Sequence, residues 1–448
     1  MRLSLAGILK SIIILAVFLG LAPAAPCRAA YEDEISLRGA EQEETRFLDP
    51  FGNALSAVTY LPRKILEGVF FGAGHTAAAL SDEDFVEKVK DILYFYDEKF
   101  LWFPIVSYAS GFRPAYGGGL YYKERGWTAL ARATLHDSDY WSYSLKPTYV
   151  RAVGQWQWKN SLLAVAEKKD DRRDYGLGAD PHDDPRNTFI GTNDYGVYTE
   201  ERRKLQWSSA LYTPPKTFGV TYLGYYQRRS FEDHGDGSND VREVFDHSRI
   251  PGFDAPVKQL YNELAVEVDT RGNKKLLSPG FRSEVYTGIS AGLGKHDAHL
   301  FRTGFDAAGF IPTVKEDRLI ALRLVSDWVE NINDEPIPFS EYPRQHTFRG
   351  VSEREGIRNE KVSLVPSIEY QWPLSHMFAA HVFYDMLFVG PDPGSIEWKE
   401  GLWAAGLGLD FHYFKRELGR VELAFGSEGF QAAFSIGAPL RSNHRKDW

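Results

Sequence analysis

What constrains this chain most is a short pattern that keeps returning, segments in which every second side chain is apolar. In Lys361–Trp372 the even positions are Val362, Leu364, Pro366, Ile368, Tyr370 and Trp372; the odd ones are Lys361, Ser363, Val365, Ser367, Glu369 and Gln371. A strand sends successive side chains to opposite faces, so this spacing gives one apolar face and one mostly polar face. Phe378–Met386 repeats it, with Phe378, Ala380, Val382, Tyr384 and Met386 against His381, Phe383 and Asp385. Two architectures use such strands. A soluble sandwich buries the apolar faces against each other. A barrel in lipid turns them outward and encloses Glu369 and Asp385 in its lumen, where a loop arginine such as Arg349 can meet them.

From Trp102 onward the same texture continues in about sixteen segments, from Phe103–Ala109 through Trp127–Leu135, Gln155–Glu167, Leu402–Tyr413 and Arg420–Phe425 to Phe430–Gly437, separated by Gly, Pro, Asp and Asn clusters. No β-α alternation interrupts them, which excludes doubly wound and TIM-type folds. Connectors such as Pro373–Met377 and Leu418–Gly419 are short. Lys168–Glu200, Glu232–Gln259, Asn331–Glu360 and Val389–Gly401 are long and polar. Short turns at one end and long loops at the other is the arrangement of a membrane barrel. The mean hydropathy of -0.35 is compatible with it, because each strand of such a barrel is only half apolar. Aromatic residues make up 14%, enough to supply interfacial girdles. The expected fold is therefore all-β, a transmembrane antiparallel barrel of about sixteen strands with a short helical N-terminal periplasmic segment.

The first thirty residues explain how such a chain reaches that membrane. Arg2 and Lys10 precede an apolar run, Ser11–Leu21, and then small residues up to Ala29 and Ala30. That is a Sec signal peptide over 1–30, cut near Ala29 or Ala30. Cys27, the one cysteine, falls inside it, and Pro26 before it fits a lipobox poorly. The mature chain then has no disulfide framework. Residues 31–100 read as an acidic leader, Tyr31–Arg46, followed by helices over Asn53–Phe71 and Phe85–Tyr96, the latter capped by Ser81–Asp84. The barrel is placed at 101–440 and a basic tail at 441–448. After the signal, no run approaches the ~18 apolar residues of a membrane helix. With 52 basic and 61 acidic residues the net charge is -9, which argues against a general nucleic-acid binder.

Five local stretches resemble the bacterial surface-antigen family, the barrels of BamA/TamA-type outer-membrane assembly factors. Tyr175-Gly176-Leu177-Gly178 is similar to its Tyr-Gly-Leu-Gly-Asn segment, with Ala179 in the Asn place. Asp269, Arg271, Pro279 and Gly280 resemble its Asp-x-Arg…Pro-x-x-Gly signature, two residues tighter at the glycine. Phe348-Arg349-Gly350-Val351 matches its Arg-Gly loop, although Gln345-His346 stands where the family has Gly-Gly. Phe383-Tyr384-Asp385-Met386 is similar to its Phe-x-Asp-x-Gly strand, with Leu387 for Gly. The last segment, with Phe430, Phe434, Ile436 and Gly437, resembles its closing β-signal. The resemblance implies that the Arg349–Gly350 loop folds into the lumen and that Arg349 pairs with Glu369 and Asp385. A planar guanidinium prefers carboxylates at low water activity, which makes such a pairing physically sound. The POTRA modules that receive client chains in the family have no counterpart in 31–100.

Other constellations read as structure. Asp233–Asp240 and Asp180–Pro185 are oxygen-rich loops without EF-hand spacing. Gly117–Gly119, Gly406 and Gly408 sit in strands, where glycine permits curvature or close approach. His381 shares a face with Asp385, but no serine or cysteine nucleophile stands beside it, so no catalysis, cofactor or metal is expected. The functional expectation is a non-enzymatic barrel of the bacterial outer membrane, in contact with phospholipid and lipopolysaccharide. It assists assembly or translocation of outer-membrane proteins through a seam between its first and last strands, with a periplasmic protein or client barrel as partner. The alternative is a passive pore or solute channel; a secreted soluble β-protein is disfavoured.

Overall fold

A computed structural model describes residues 94–95 and 99–436, apart from 110–111, 113, 192, 214–216, 236–238, 272–277, 314–317, 352–354, 357, 375–377, 397 and 414–415. All of them belong to the unit Leu61–Trp448. The expected signal peptide, the acidic leader, nearly all of the expected helices, and the basic tail lie outside the described residues.

Sixteen strands form one antiparallel ring. They are β1 (Phe100–Ala109), β2 (Ala115–Glu124), β3 (Trp127–Leu135), β4 (Trp141–Val153), β5 (Trp156–Asp174), β6 (Gly196–Tyr212), β7 (Phe218–Asp233) and β8 (Val257–Asp269). The ring continues with β9 (Gly280–Gly292), β10 (Leu300–Pro312), β11 (Leu319–Asn331), β12 (Val362–Pro373), β13 (Phe378–Gly390), β14 (Leu402–Tyr413), β15 (Arg416–Gly426) and β16 (Gly429–Ile436). Each pairs with the next, and β16 returns to β1. That last pairing is short. Four register pairs, Ala433–Ala109 to Ile436–Val106, join β16 to β1 among the described residues, against thirteen between β10 and β11.

Which face looks outward decides between sandwich and membrane barrel. Along β6, Lys204 is 5% exposed and Gln206 2%, while Leu205 is 51% and Trp207 50%. Leu264, Ile289, Phe425 and Phe430 are exposed in the same way, and Glu167, Glu263, Glu284 and Asp385 are buried. Apolar side chains face out and charged ones face in. That inversion suits acyl chains outside a closed wall and is the reverse of a soluble sandwich. No helix among the described residues is long and apolar enough to cross a membrane.

All sixteen strands stand where the alternation places them, with informative differences at their ends. β5 runs on to Asp174 and β6 starts at Gly196, so much of the expected Lys168–Glu200 connector is strand. Alternation fades along 168–174 because every side chain there is charged, and the charges pair within β5, Lys169 with Glu167, and across to β6, Arg172 with Glu200. The turn expected at Leu418–Gly419 is displaced, since β15 already begins at Arg416 and Gly419 pairs with both Phe411 and Ile436. Glycine there sits in a sheet and makes no turn. At the other end, Tyr94 and Phe95 are extended and pair with Leu101 and Phe100, in place of the helix end expected over Phe85–Tyr96. The β2–β3 connection is a two-residue hairpin at Arg125 (φ 44°) and Gly126 (φ 87°), the left-handed geometry that matches strand twist.

The long connections gather at the opposite end from that hairpin, and the one between β11 and β12 is pulled inward. Ile337 and Tyr342 pack with Ala298, Leu300 and Val329. Phe339 enters a second cluster with Tyr198, Phe231, Val244 and Phe253. Phe348 enters a third with Val365, Leu387, Val389 and Ala404. Four buried apolar anchors in twelve residues, divided among three clusters, hold this loop across the barrel interior.

Because Leu264 lies mid-strand on the outer face, Leu264→Arg is expected to destabilise the folded barrel by about 2–4 kcal/mol. Denaturant unfolding in liposomes measures this; an unchanged midpoint would contradict the outward orientation.

Candidate functional site

Arg349 is carried on that inward loop, one residue past Phe348 and just before Gly350. The Phe348 amide donates to the Gln345 carbonyl at 3.0 Å, closing a tight turn. A Cβ on Gly350 would fall 2.7 Å from the Phe348 ring and 3.0 Å from Ala404 Cβ, so the chain passes there only without a side chain. Gln345 fastens the two limbs of the loop, its Nε2 donating to the carbonyls of Pro343 and Arg358 at 2.8 Å each. Where the resembled family has a glycine, this chain has a buried amide that stitches its own loop.

The receiving surface comes from register. On β12 and β13, Glu369 lies opposite Phe383, and Ser367 opposite Asp385, which brings both carboxylates to the inner face within one diagonal step. Arg349 reaches Asp385 through its backbone N–H at 3.0 Å, Nε at 2.8 Å and Nη2 at 2.7 Å. Its Nη1 donates to Glu369 and lies 3.9 Å from Glu422 Oε1. The guanidinium sits 3.6 Å above the Phe383 ring. Arg349 is 7% exposed and Asp385 0%. This is a planar cation forked onto carboxylates in a place with little water, the setting where such pairs are strongest.

The site extends further than the sequence patterns indicated. His381, fully buried, places Nδ1 3.1 Å from Asp410 Oδ2 and Nε2 3.4 Å from Glu422 Oε1. Its carboxylate partners are thus Asp410 on β14 and Glu422 on β15, not Asp385 on its own strand face. His381 and Asp385 point the same way but are four residues apart along one strand, roughly 14 Å, whereas a neighbouring strand is about 5 Å off. Arg420 bridges Asp410 and Glu422. Room for these groups comes from Gly406 and Gly408, which face Phe383 and His381 in register. A Cβ on either glycine would fall 2.5 Å and 2.4 Å from those rings. Asp410, Glu422 and Arg420 could have been found from inward parity on β14 and β15.

A second inner cluster grips the same loop farther up. Glu167 pairs with Lys169 and Arg202, and Glu200 with Arg172. Arg229 donates to the Ser340 carbonyl at 2.9 Å, and Arg302 donates to that of Glu341. At the loop end, Leu177 bridges to Asn359 in parallel, with Gly178 N–H donating to the Asn359 carbonyl at 3.1 Å and Asn359 N–H to that of Gly176 at 3.2 Å. Arg358 Nε donates to the Ala179 carbonyl at 2.9 Å. The Tyr175–Gly178 and Arg349 loops are therefore one assembly.

The remaining candidate residues lie apart from this site. Arg271 forks onto Asp269 at 2.9 and 2.7 Å at the turn end of β8. Gly280, after Pro279, has φ 142° and passes close to Arg271. Phe430 is exposed on the outer face, Phe434 pairs with Tyr108 and Ile436 with Val106, and Gly437 lies outside the described residues. Asp240 caps the one-turn helix Val241–Val244, accepting from Arg242 N at 3.0 Å and Gly235 N at 2.7 Å, so its carboxylate serves the loop itself. No group of three metal-ligating side chains occurs among the described residues.

Replacing Arg349 by alanine leaves two buried carboxylates uncompensated, so Arg349→Ala is expected to cost about 3–5 kcal/mol. Arg349→Lys should recover little, because an ammonium cannot fork onto Asp385. Unfolding midpoints and protease cleavage of the 332–361 loop measure both.

No family model matches the sequence, and no curated protein does. Among solved structures the chain is similar to BamA from Haemophilus ducreyi lacking POTRA domains 1–3, with a TM-score of 0.50 and 12% identity over 75% of this chain and 70% of that one. It is also similar to CdiB from Acinetobacter baumannii, with a TM-score of 0.46 and 12% identity over 75% of this chain and 59% of that one, a likeness too loose to carry weight. Identity at this level speaks for shared architecture only. By its fold, this chain is a closed antiparallel β-barrel of sixteen strands, similar to the barrel of BamA.

Proposed function

We propose that the protein assists the assembly or translocation of other outer-membrane proteins by opening the seam between β1 and β16. The observation that carries this reading is the pairing at that seam, four register pairs among the described residues against eight to sixteen at the other joints of the wall. A strand edge freed there offers a row of unpaired N–H and C=O groups, which is the template an incoming client strand needs. The rest of the ring is built to stay shut while one joint gives, and the ion-paired loop keeps the interior filled as it does so. The chain would be exported by the Sec route, lose residues 1–30, and meet phospholipid and lipopolysaccharide in the bacterial outer membrane. Its partner would be a client barrel or a periplasmic protein, and the role needs no catalytic step.

Tyr108 and Phe434 face each other across the seam, and Cys27 is the only cysteine of the sequence. A Tyr108→Cys/Phe434→Cys variant, oxidised, is expected to lose complementation of a depletion strain and to regain it on reduction. Depletion itself should lower the yield of other outer-membrane barrels. No such drop, together with steady open conductance in planar bilayers, would replace this reading by that of a passive pore.

A further inference from the structure

The outer wall beside the seam is not evenly filled. Register sets Leu120 on β2, Ala131 on β3 and Leu145 on β4 in one row, and Tyr122, Ala129 and Pro147 in the next. Large, small, large across three strands leaves a trough along β3, a groove of about 430 Å³ with an almost wholly apolar lining. That volume lies within the range of sites that hold small molecules. The alternation carries the trough on to Ala133. Four residues at ~3.4 Å make roughly 14 Å, close to one leaflet of a hydrocarbon core ~30 Å thick.

One end of the groove is charged. Lys99 Nζ lies 2.9 Å from Glu124 Oε1, both side chains 35% exposed, and Tyr122 OH donates to the same carboxylate. The rim is held in place, with Lys123 N–H donating to the Lys99 carbonyl at 2.9 Å and the Phe100 and Tyr122 rings packed at 4.8 Å. It stands at the end with the Arg125–Gly126 hairpin, the short-turn side, which in such barrels faces the periplasm. The lipid of that leaflet is phospholipid, with lipopolysaccharide on the other side.

We propose that this groove binds one phospholipid with a zwitterionic, primary-ammonium headgroup, an acyl chain lying over Ala129 and Ala131. The charge arrangement selects it. A phosphate can take Lys99 while an ammonium takes Glu124, so the headgroup exchanges with the ion pair partner for partner and leaves no charge unmatched. An anionic lipid would satisfy Lys99 but face Glu124 unscreened. A protein partner is disfavoured because the floor lies within the apolar belt that acyl chains cover. This inference rests on the outward orientation of the apolar face and stands whether or not the seam opens.

The test is native mass spectrometry of the mature protein released from nanodiscs of equal phosphatidylethanolamine and phosphatidylglycerol. The wild type is expected to retain one phosphatidylethanolamine several-fold over phosphatidylglycerol. Glu124→Gln should level or reverse that preference, and Ala131→Trp should displace the lipid with the Lys99–Glu124 pair intact. The heat-modifiable gel shift reports that each variant is folded. Equal retention of both lipids by the wild type, detergent alone in the groove, or a lipid complement unchanged by Ala131→Trp would overturn the proposal.

Discussion

Backbone amides in hydrocarbon have no water to turn to, and every one left without a partner costs several kcal/mol. Sheets meet this demand only by closing, and here β16 comes back to β1 to complete the ring. Closure in turn fixes the two surfaces. Once the wall is continuous, alternate side chains face either acyl chains or a confined interior, and the sequence assigns leucine and tryptophan to the first and glutamate, arginine and glutamine to the second. Among the described residues the joint between β16 and β1 has the fewest pairs, so the demand is least well met there.

The interior raises a second problem, because charges enclosed by protein are costly unless paired. The chain answers with its own loop. Residues 337–349 supply an apolar side chain to each of three clusters and Arg349 to the carboxylates of β12 and β13. Buried ion pairs of this kind add little stability over an apolar replacement, yet removing one member is costly. Their value here is positional. The fork of Arg349 onto Asp385, with the Phe383 face beneath it, permits one placement of the loop, and the glycines at 350, 406 and 408 make that placement sterically open.

The ring is also uneven. β5, β6 and β7 are 19, 17 and 16 residues long and carry the linked loops, whereas β16 has 8 and β1 has 10. Ion pairs hold the loop at two places, the paired charges of β5–β7 with the Asn359 junction, and the Arg349 cluster on β12–β15. Toward the seam the wall is built from short strands rich in glycine and alanine, with a groove in its outer face.

Alternation alone determined that the chain is a half-apolar β-structure, roughly where its sixteen strands lie, and that Glu369, Asp385 and His381 lie opposite the apolar faces of their strands, because a strand's period of two is a local property. It gave Trp127–Leu135 and Leu402–Tyr413 to the residue. It lost the ends of β5 and β6, where strands continue with charged residues whose partners are remote in sequence. It also misplaced Leu418–Gly419, where a glycine is paired on both sides. Tertiary structure decided the remainder: which face looks out, how long the closing pair is, that Asp410 and not Asp385 receives His381, and that Leu120, Ala131 and Leu145 make a trough. Each depends on the register between strands, which pairs residues far apart in the chain and which no single segment encodes.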